Sequence, residues 1–278
     1  ALEGLLANKM RSVLTALGII IGVAAVITML AIAGGAKKQM MTNIEGIGTN
    51  VLMIFQRRGE DSTRTQPLSL KDVAAIEAEC PSVLRVAPEV RANATVKYRN
   101  EDSTSTITGV TDVYDNVRNY KLAEGHFFTE SDVNALRKVA VLGSQVAIDL
   151  FDGAPAIGEY IRINGTRFRV IGVMQSKGSG GFGNADDQVF IPLTTAMRRL
   201  FGLDELAMIS VQASEMRLMD AAKAEVEAAL RKTHKLKEGD ELDFNVSNQA
   251  DILAFANTAS GIFTALLAGI ASVSLLVG

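Results

Sequence analysis

A glycine-rich motif is the first feature of this sequence whose spacing could do chemistry. Gly178, Gly180 and Gly183 match the G-x-G-x-x-G pattern and follow a strand-like segment. In dinucleotide-binding proteins such glycines let the backbone approach a pyrophosphate that lies on the first turn of a helix. Here the motif leads instead into the apolar run 188–191, which is typical of a strand. We therefore predict a flexible hairpin loop.

The remaining residues of catalytic type are too scattered to form a recognisable site. Asp186 and Asp187 could ligate a cation, but adjacent carboxylates at the end of a loop are usually solvated. His126 and His234, the only histidines, fit no H-E-x-x-H spacing, and no serine lies in a G-x-S-x-G elbow. Cys80, the only cysteine, precedes a proline at a predicted helix end. We expect no enzymatic activity, no metal and no cofactor in this chain.

Two long uncharged runs, residues 12–36 and 252–278, bracket nearly every charged residue. As a helix, the first run would extend roughly 37 Å, more than the roughly 30 Å of a bilayer's hydrocarbon core. The layout predicts a membrane helix, a large aqueous domain and a second membrane helix. The alternative for the first run is a secretory signal peptide, although its apolar stretch is longer than such signals need.

Small residues recur at helical spacing in both runs. Gly18 and Gly22 form G-x-x-x-G, and Gly261, Ala265 and Gly269 repeat a small residue at every fourth position. Such spacing lets membrane helices approach closely, so we predict that these five residues pack helices together. The alternative is that glycine and alanine are simply common in membrane helices.

Four segments make up the predicted organisation. They are an interfacial helix at residues 1–12, a first membrane helix at 13–36, an extracytoplasmic domain at 37–250 and a second membrane helix at 251–278, truncated at its C-terminus. The chain opens without an initiator Met and stops without a charged flank, so we expect it to be part of a longer polypeptide. Its net charge of −3 gives no basic excess for binding nucleic acid, so the first expected partner is the lipid bilayer.

Helix-like and strand-like segments alternate along the central domain. This predicts an α+β extracytoplasmic domain of two subdomains, flanked by the two transmembrane helices. One subdomain would hold about 49–112 with 208–246, and the other about 114–202. Ser69 is predicted to cap a helix, and Asn164-Gly165 to turn a β-hairpin.

A series of short stretches along the chain carries a family resemblance. They are Asn8–Thr15, Leu17–Val23, Val141–Ser144 with Leu150–Phe151, Ile161–Gly165, Phe168–Val173, Ile191–Thr195 and Ile270–Gly278. In order and spacing, they resemble MacB-type, FtsX-like permeases of ABC transporters. The first two and the last resemble that family's first and second membrane helices, and the others resemble its extracytoplasmic core domain.

The resemblance implies a function in membrane export or efflux. It implies a four-helix permease of the bacterial inner (cytoplasmic) membrane, working as a homodimer or permease heterodimer with a cytoplasmic ABC ATPase. ATP and Mg²⁺ would bind to that ATPase, fused or separate, and its ATP-driven dimerisation would reshape the extracytoplasmic domain. A periplasmic adaptor and an outer-membrane channel are further implied partners.

Two other interpretations of the same layout remain open. The chain could belong to an FtsX-like regulator that gates a cell-wall hydrolase, or to a lipoprotein-release permease, which would differ chiefly in partner. A membrane-anchored extracytoplasmic sensor also has two helices around an external domain. A signalling module after Gly278 would favour the sensor, whereas two more membrane helices would favour the permease.

Overall fold

A computed structural model separates the chain into two compact units. One comprises Ala1–Thr42 with Ala250–Gly278, and the other Asn43–Gln249. The residues that the structure describes are 50–57, 66–180, 183–237 and 239–248, with single helical positions between residues 10 and 35 and between 251 and 269. All strands of this described part lie in the second unit.

In the terminal unit every described position is helical and exposed. Among the positions described there and in the rest of the chain, no helix is both long enough and apolar enough to span a bilayer. The predicted interfacial helix at 1–12 and the predicted spans at 13–36 and 251–278 fall mostly outside the described residues. All three therefore stay predictions.

The second unit alternates short helices with strands. It also contains a 3₁₀ turn, Met216–Leu218, directly before the last helix, and a π-helical turn, Ala196–Phe201, directly after the fifth helix. In chain order the elements are β1 (Val51–Gln56), α1 (Leu70–Glu79), β2 (Val83–Tyr98), β3 (Glu101–Val110), α2 (Tyr114–Val117), β4 (Leu122–Gly125), α3 (Glu130–Asn134), β5 (Val139–Leu142), α4 (Ser144–Phe151), β6 (Tyr160–Ile163), β7 (Thr166–Met174), β8 (Ser179–Gly180), β9 (Gly183–Asn184), β10 (Gln188–Pro192), α5 (Leu193–Thr195), β11 (Met208–Ala213), α6 (Met219–Thr233) and β12 (Phe244–Ser247).

One part of this unit is a βαββαβ arrangement. Strands β12, β1, β11 and β2 lie side by side in that order, and every pair is antiparallel. Helices α1 and α6 follow β1 and β11, which is the element sequence of ferredoxin-like folds, and the rest of the unit is inserted between β2 and β11. Residues Val51 to Ile54 of β1 are buried on both faces, so this central strand is a continuous apolar run.

Helices α1 and α6 pack against each other and cover one face of that sheet. Leu52 and Ile54 point to this face because alternate strand residues share a side. The same apolar core contains buried residues of both helices and of the neighbouring strands, namely Val73, Ile76, Ala222, Val226, Ile209, Val211 and Val246. Helix α6 is therefore amphipathic, with Ala222, Val226 and Leu230 on its buried side.

The other part is a closed ring of six strands. The pairing runs β2–β3–β10–β5–β7–β6 and returns from β6 to β2 through Val96↔Ile163 and Lys97↔Arg162. Helix α4 contacts β2, β3, β7 and β10, which are spread around the ring, and buries Val146, Leu150 and Phe151. The ring therefore has its own apolar interior, continuous with the core under α1 and α6.

Two local features were predicted correctly from the sequence. Ser69 is the N-cap of α1 and forms a capping box with Asp72, and Asn164 and Gly165 both have positive φ in the β6–β7 turn, as predicted. The elements α2, β4 and α3 were not predicted, because four or five residues are too few to show a periodicity.

The mixed α+β character of the domain is confirmed, but its division into two subdomains stays a prediction. Residues 83–89 of β2 pair with β11, and residues 89–98 pair with β3. The β2–β3 hairpin, assigned from the sequence to the first subdomain alone, therefore contributes strands to both parts.

Candidate functional site

The residues predicted to pack helices lie in the terminal unit. Gly18, Gly261, Ala265 and Gly269 occupy exposed helical positions, and Gly22 lies outside the described residues. A Cβ added at Gly18, Gly261 or Gly269 would meet no heavy atom within 4 Å. These helix faces are thus open at the described positions. Their packing against another helix stays a prediction.

The G-x-G-x-x-G segment forms a hairpin, as predicted. Strands β8 and β9 pair through Ser179↔Asn184 and Gly180↔Gly183, and the chain then enters strand β10 rather than a helix. Without a helix N-terminus after the loop, these residues do not fit a bound nucleotide phosphate.

Asp186 closes the base of this hairpin and is not simply solvated. Its carboxylate accepts hydrogen bonds from the Ser176 hydroxyl at 2.7 Å and from the backbone N–H groups of Lys177 and Gly178 at 2.7 and 2.9 Å. Partial burial alone would raise the pKa of Asp186, but these hydrogen bonds outweigh it and lower the pKa. The expectation of a solvated loop-end carboxylate was wrong for this residue because its oxygens organise the turn.

Among the residues that the structure describes, the side chains of catalytic type do not assemble into a recognisable reactive site. Within the described ranges, no group of three or more His, Cys, Asp or Glu side chains could hold a metal ion. His126 is exposed, whereas Cys80 is buried, and burial together with the charges of Glu225 and Glu79 raises the pKa of the Cys80 thiol to about 11. A thiol with such a pKa is a poor nucleophile at neutral pH.

Instead, a buried ionic cluster, the histidine clamp, joins three elements of the βαββαβ part. It consists of Asp72 in the first turn of α1, His234 at the C-terminal end of α6, and Asp243 just before β12. Nδ1 of His234 lies 2.9 Å from both Asp243 carboxylate oxygens, and Nε2 lies 3.4 Å from Oδ1 of Asp72. The clamp therefore ties both helices to the edge strand.

The clamp favours its charged state. Burial alone would lower the pKa of His234, but its contacts with Asp72 and Asp243 raise that pKa above the ordinary value. Burial would likewise raise the pKa of Asp72, yet its interactions with His234, Thr233 and Ser69 lower it to about 2. Both pKa shifts favour a protonated, positively charged His234 imidazole between the two carboxylates.

A second buried polar cluster lies on the sheet face opposite α1 and α6, where α2 contacts β2 and β11. Glu89, which is fully buried on β2, lies 2.6 Å from Arg91 (Glu89 Oε1 to Arg91 Nε). Arg118, which follows α2 and is also buried, donates through Nη1 to the sulfur of Met53 on β1, at 3.1 Å. This cluster holds α2 against the central strands.

Lys177 connects that cluster to the glycine-rich hairpin. Its ammonium donates to the carbonyl oxygens of Arg118 and Asn119, at 2.6 and 3.2 Å, and lies 4.0 Å from the centre of the Tyr120 ring. Burial and the nearby Arg118 charge lower the pKa of Lys177 to about 8. The hairpin is thus fastened to the segment that follows α2.

Neither cluster was predicted from the sequence, and only the histidine clamp left a signal there. The sequence predicted that Ser69 caps helix α1, but the contact between Asp72 and His234 spans more than 160 positions along the chain. His234, which fits no metal-binding spacing in the sequence, is a structural residue. Nothing in the spacing of Glu89, Arg118 and Lys177 could have shown that the insertion brings them together.

Comparison with known proteins agrees with this architecture. The family model described as the MacB-like periplasmic core domain matches residues 12–229. Two solved structures share the fold: the periplasmic region of MacB from Actinobacillus actinomycetemcomitans, at TM-score 0.66 and 24% identity, and the extracellular domain of the noncanonic ABC-type transporter YknZ from Gram-positive bacteria, at TM-score 0.60 and 20% identity. The first alignment covers 77% of this chain and 96% of that structure, and the second covers 72% and 100%.

Curated relatives are similar over the whole chain. The macrolide export ATP-binding/permease protein MacB of Azoarcus sp. (strain BH72) is 39% identical over 100% of this chain and 42% of that protein. The pyoverdine export ATP-binding/permease protein PvdT of Pseudomonas entomophila (strain L48) is 33% identical over 98% of this chain and 41% of that protein. The chain thus spans about two-fifths of the length of these relatives. By the extent of the family match and by these identities, the chain belongs to the MacB family of ABC transporter permeases, whose periplasmic core domain it contains.

Proposed function

We propose that this chain is the extracytoplasmic core and flanking membrane segment of an export permease, and that it couples ATP hydrolysis in the cytoplasm to shape changes outside the inner membrane. The observation that carries the proposal is the similarity of the whole chain to proteins named as export ATP-binding/permease proteins. The homodimer or heterodimer, the adaptor and the outer-membrane channel belong to the same proposal.

The strand order of the βαββαβ part supports a mechanical role. The two connections to the terminal unit leave from the start of β1 and the end of β12, and these strands are hydrogen-bonded neighbours with Met53 opposite Ser247. A movement of the segment before β1 would therefore reach a central strand directly, and a movement of the segment after β12 would reach that strand through one edge strand. Since backbone hydrogen bonds join β1 also to β11, the movement would pass to the whole sheet.

The histidine clamp suits the same role. A domain that transmits force must keep its helices and strands in register, and buried charges that are paired on three elements resist sliding. The chain's own residues would therefore bind no nucleotide and move no proton. They would hold the sheet rigid while the flanking helices change their packing at Gly18, Gly22, Gly261, Ala265 and Gly269.

The test is ATP hydrolysis by the full-length protein reconstituted in nanodiscs, with any separately encoded ATPase that copurifies. We expect ATPase activity that vanadate abolishes. Absence of any associated ATPase from an intact, membrane-inserted preparation would contradict the proposal and favour the membrane-anchored sensor.

A further inference from the structure

A row of like charges crosses the outside of the six-stranded ring. Strand register places Lys97 of β2 directly opposite Arg162 of β6, and Arg162 directly opposite Arg167 of β7. Arg169, two residues further along β7, lies opposite Tyr160. Because residues two apart share a face of a strand, all four cations lie on the same side of the sheet. We call Lys97, Arg162, Arg167 and Arg169 the basic face.

The basic face is open to solvent. All four side chains are exposed, while their strand neighbours Val96, Ile161 and Phe168 point into the buried interior. Within the described part of the chain, none of the four forms an ion pair with an acidic side chain. Arg167 instead lies over the Tyr160 ring, with its guanidinium carbon 4.3 Å from the ring centre.

This arrangement works against folding. Like charges directly opposite each other in a sheet repel, and Arg162 faces a cation on both of its sides. The only acid that the register adds to this row is Asp102, beyond Lys97 on β3. Composition does not explain such a cluster either, because the chain as a whole carries a net charge of −3. Residues that cost stability at a defined place are typical of a functional surface.

We propose that the basic face is a docking surface for a protein that presents a carboxylate-rich patch. Three of its four cations are arginines, whose planar guanidinium groups bind carboxylates through paired hydrogen bonds. Arg and Tyr, which meet here as Arg167 and Tyr160, are the side chains enriched at the energetic centres of protein interfaces. The docking surface goes beyond the proposed transport function and does not depend on it.

The basic face lies at the far end of β2 from the points where the chain leaves this unit. The connections to the apolar terminal segments leave from the end of the sheet where Val51 pairs with Gln212, next to the start of β2 at Val83. Lys97 lies 14 residues further along β2, which is about 45 Å at the rise of an extended strand. Within this unit, the four cations are thus separated from both chain exits by most of the length of β2.

A charge-reversal experiment tests the proposal. The full-length protein in zwitterionic nanodiscs is titrated against a fluorescein-labelled polyglutamate peptide, and binding is followed by fluorescence anisotropy. We expect R162E/R167E to weaken binding roughly tenfold or more, and raising the salt to about 0.5 M to weaken wild-type binding similarly. The control is R198E/R199E, which reverses two exposed arginines outside the ring's outer face and should leave binding unchanged.

Two results would overturn the proposal. One is equal binding of the peptide by wild type and R162E/R167E. The other is that wild-type protein ignores the peptide but binds phosphatidylglycerol vesicles in a flotation assay, with this binding lost in R162E/R167E, which would assign the face to anionic lipid.

A stability measurement provides an independent check. Because Arg162 has cations on both sides, R162Q should raise the melting temperature of the full-length protein at low salt, and the gain should shrink at about 0.5 M salt. R198Q is the control, and it should change neither the melting temperature at low salt nor the melting temperature at about 0.5 M salt. A lower melting temperature for R162Q at low salt would show that repulsion among the cations of the basic face does not destabilise the fold.

Discussion

His234 and Asp243 join the end of helix α6 to strand β12, with Nδ1 of the imidazole 2.9 Å from both carboxylate oxygens. On its other side the same ring lies 3.4 Å from Asp72 of α1. Replacing the imidazole removes the cation and leaves two buried carboxylates near each other. The stability of the domain should therefore be sensitive to the loss of the His234 side chain.

His234→Gln should lower the free energy of unfolding by about 3 kcal/mol at pH 6, because breaking a buried ion pair leaves uncompensated charge. Urea unfolding of the purified full-length protein, followed by a probe within the domain, measures the change. The chain offers a matched control in its other histidine: His126 is exposed, and His126→Gln should change the free energy by less than about 0.5 kcal/mol. Equal effects of the two substitutions would contradict the clamp.

The clamp should also make stability depend on pH in two windows. The pKa of His234 is raised on folding, so its contribution is complete below the unfolded value near 6.5 and is lost as pH rises through the higher folded value. The pKa of Asp72 is lowered from 3.8 to about 2, so its contribution, about 2 kcal/mol, is present above pH 3.8 and is lost as pH falls towards 2.

The measurement is the difference in unfolding free energy between wild type and His234→Gln from about pH 6 to pH 9. We expect this difference to shrink as pH rises, since only wild type has the imidazole to deprotonate. A difference that stays constant, or that grows, would show that His234 is not charged in the folded protein.

Close packing at Gly109 gives a prediction about the junction between β3 and the turn after β10. A Cβ at this position would overlap the Ala196 side chain and lie 2.7 Å from Cγ2 of Val90. Gly109→Ala should therefore destabilise the domain by about 2 kcal/mol or more, measured by urea unfolding.

A second substitution tests whether steric overlap, rather than a loss of backbone freedom, causes the destabilisation by Gly109→Ala. Ala196→Gly removes the atom that the new methyl group meets first, so the double variant should recover part of the lost stability. A double variant whose stability is simply the sum of the two single effects would contradict the steric explanation.

The sequence predicted features that depend on neighbouring residues, and it missed features that depend on residues distant in the chain. Ser69 with Asp72 and Asn164 with Gly165 were identified correctly because a helix cap and a two-residue turn are decided by neighbouring residues. The ring was not predicted, because its closure between Val96 and Ile163 joins strands that are distant in the chain. The clamp and the basic face also depend on such pairings, so their residue types were visible but their proximity was not.

Helix packing in the terminal segments yields a prediction about activity. Gly18→Leu with Gly22→Leu should impair vanadate-sensitive ATP hydrolysis severalfold while leaving membrane insertion intact, because bulky side chains prevent close approach of helices. Val23→Leu with Ile27→Leu alters the same helix conservatively at apolar positions and should have little effect. Unchanged hydrolysis in the glycine double variant would contradict the predicted role of these residues.

The most direct test of mechanical coupling is a distance measurement between two protomers of the full-length protein in nanodiscs. A spin label at Ala78→Cys lies on the exposed side of α1, and the buried Cys80, with its raised thiol pKa of about 11, should not compete for the label. Electron–electron resonance distances are compared between the nucleotide-free and the vanadate-trapped states. We predict a shift of the distance distribution on trapping. An unchanged distribution in protein that hydrolyses ATP would contradict the coupling of the extracytoplasmic domain to the ATPase.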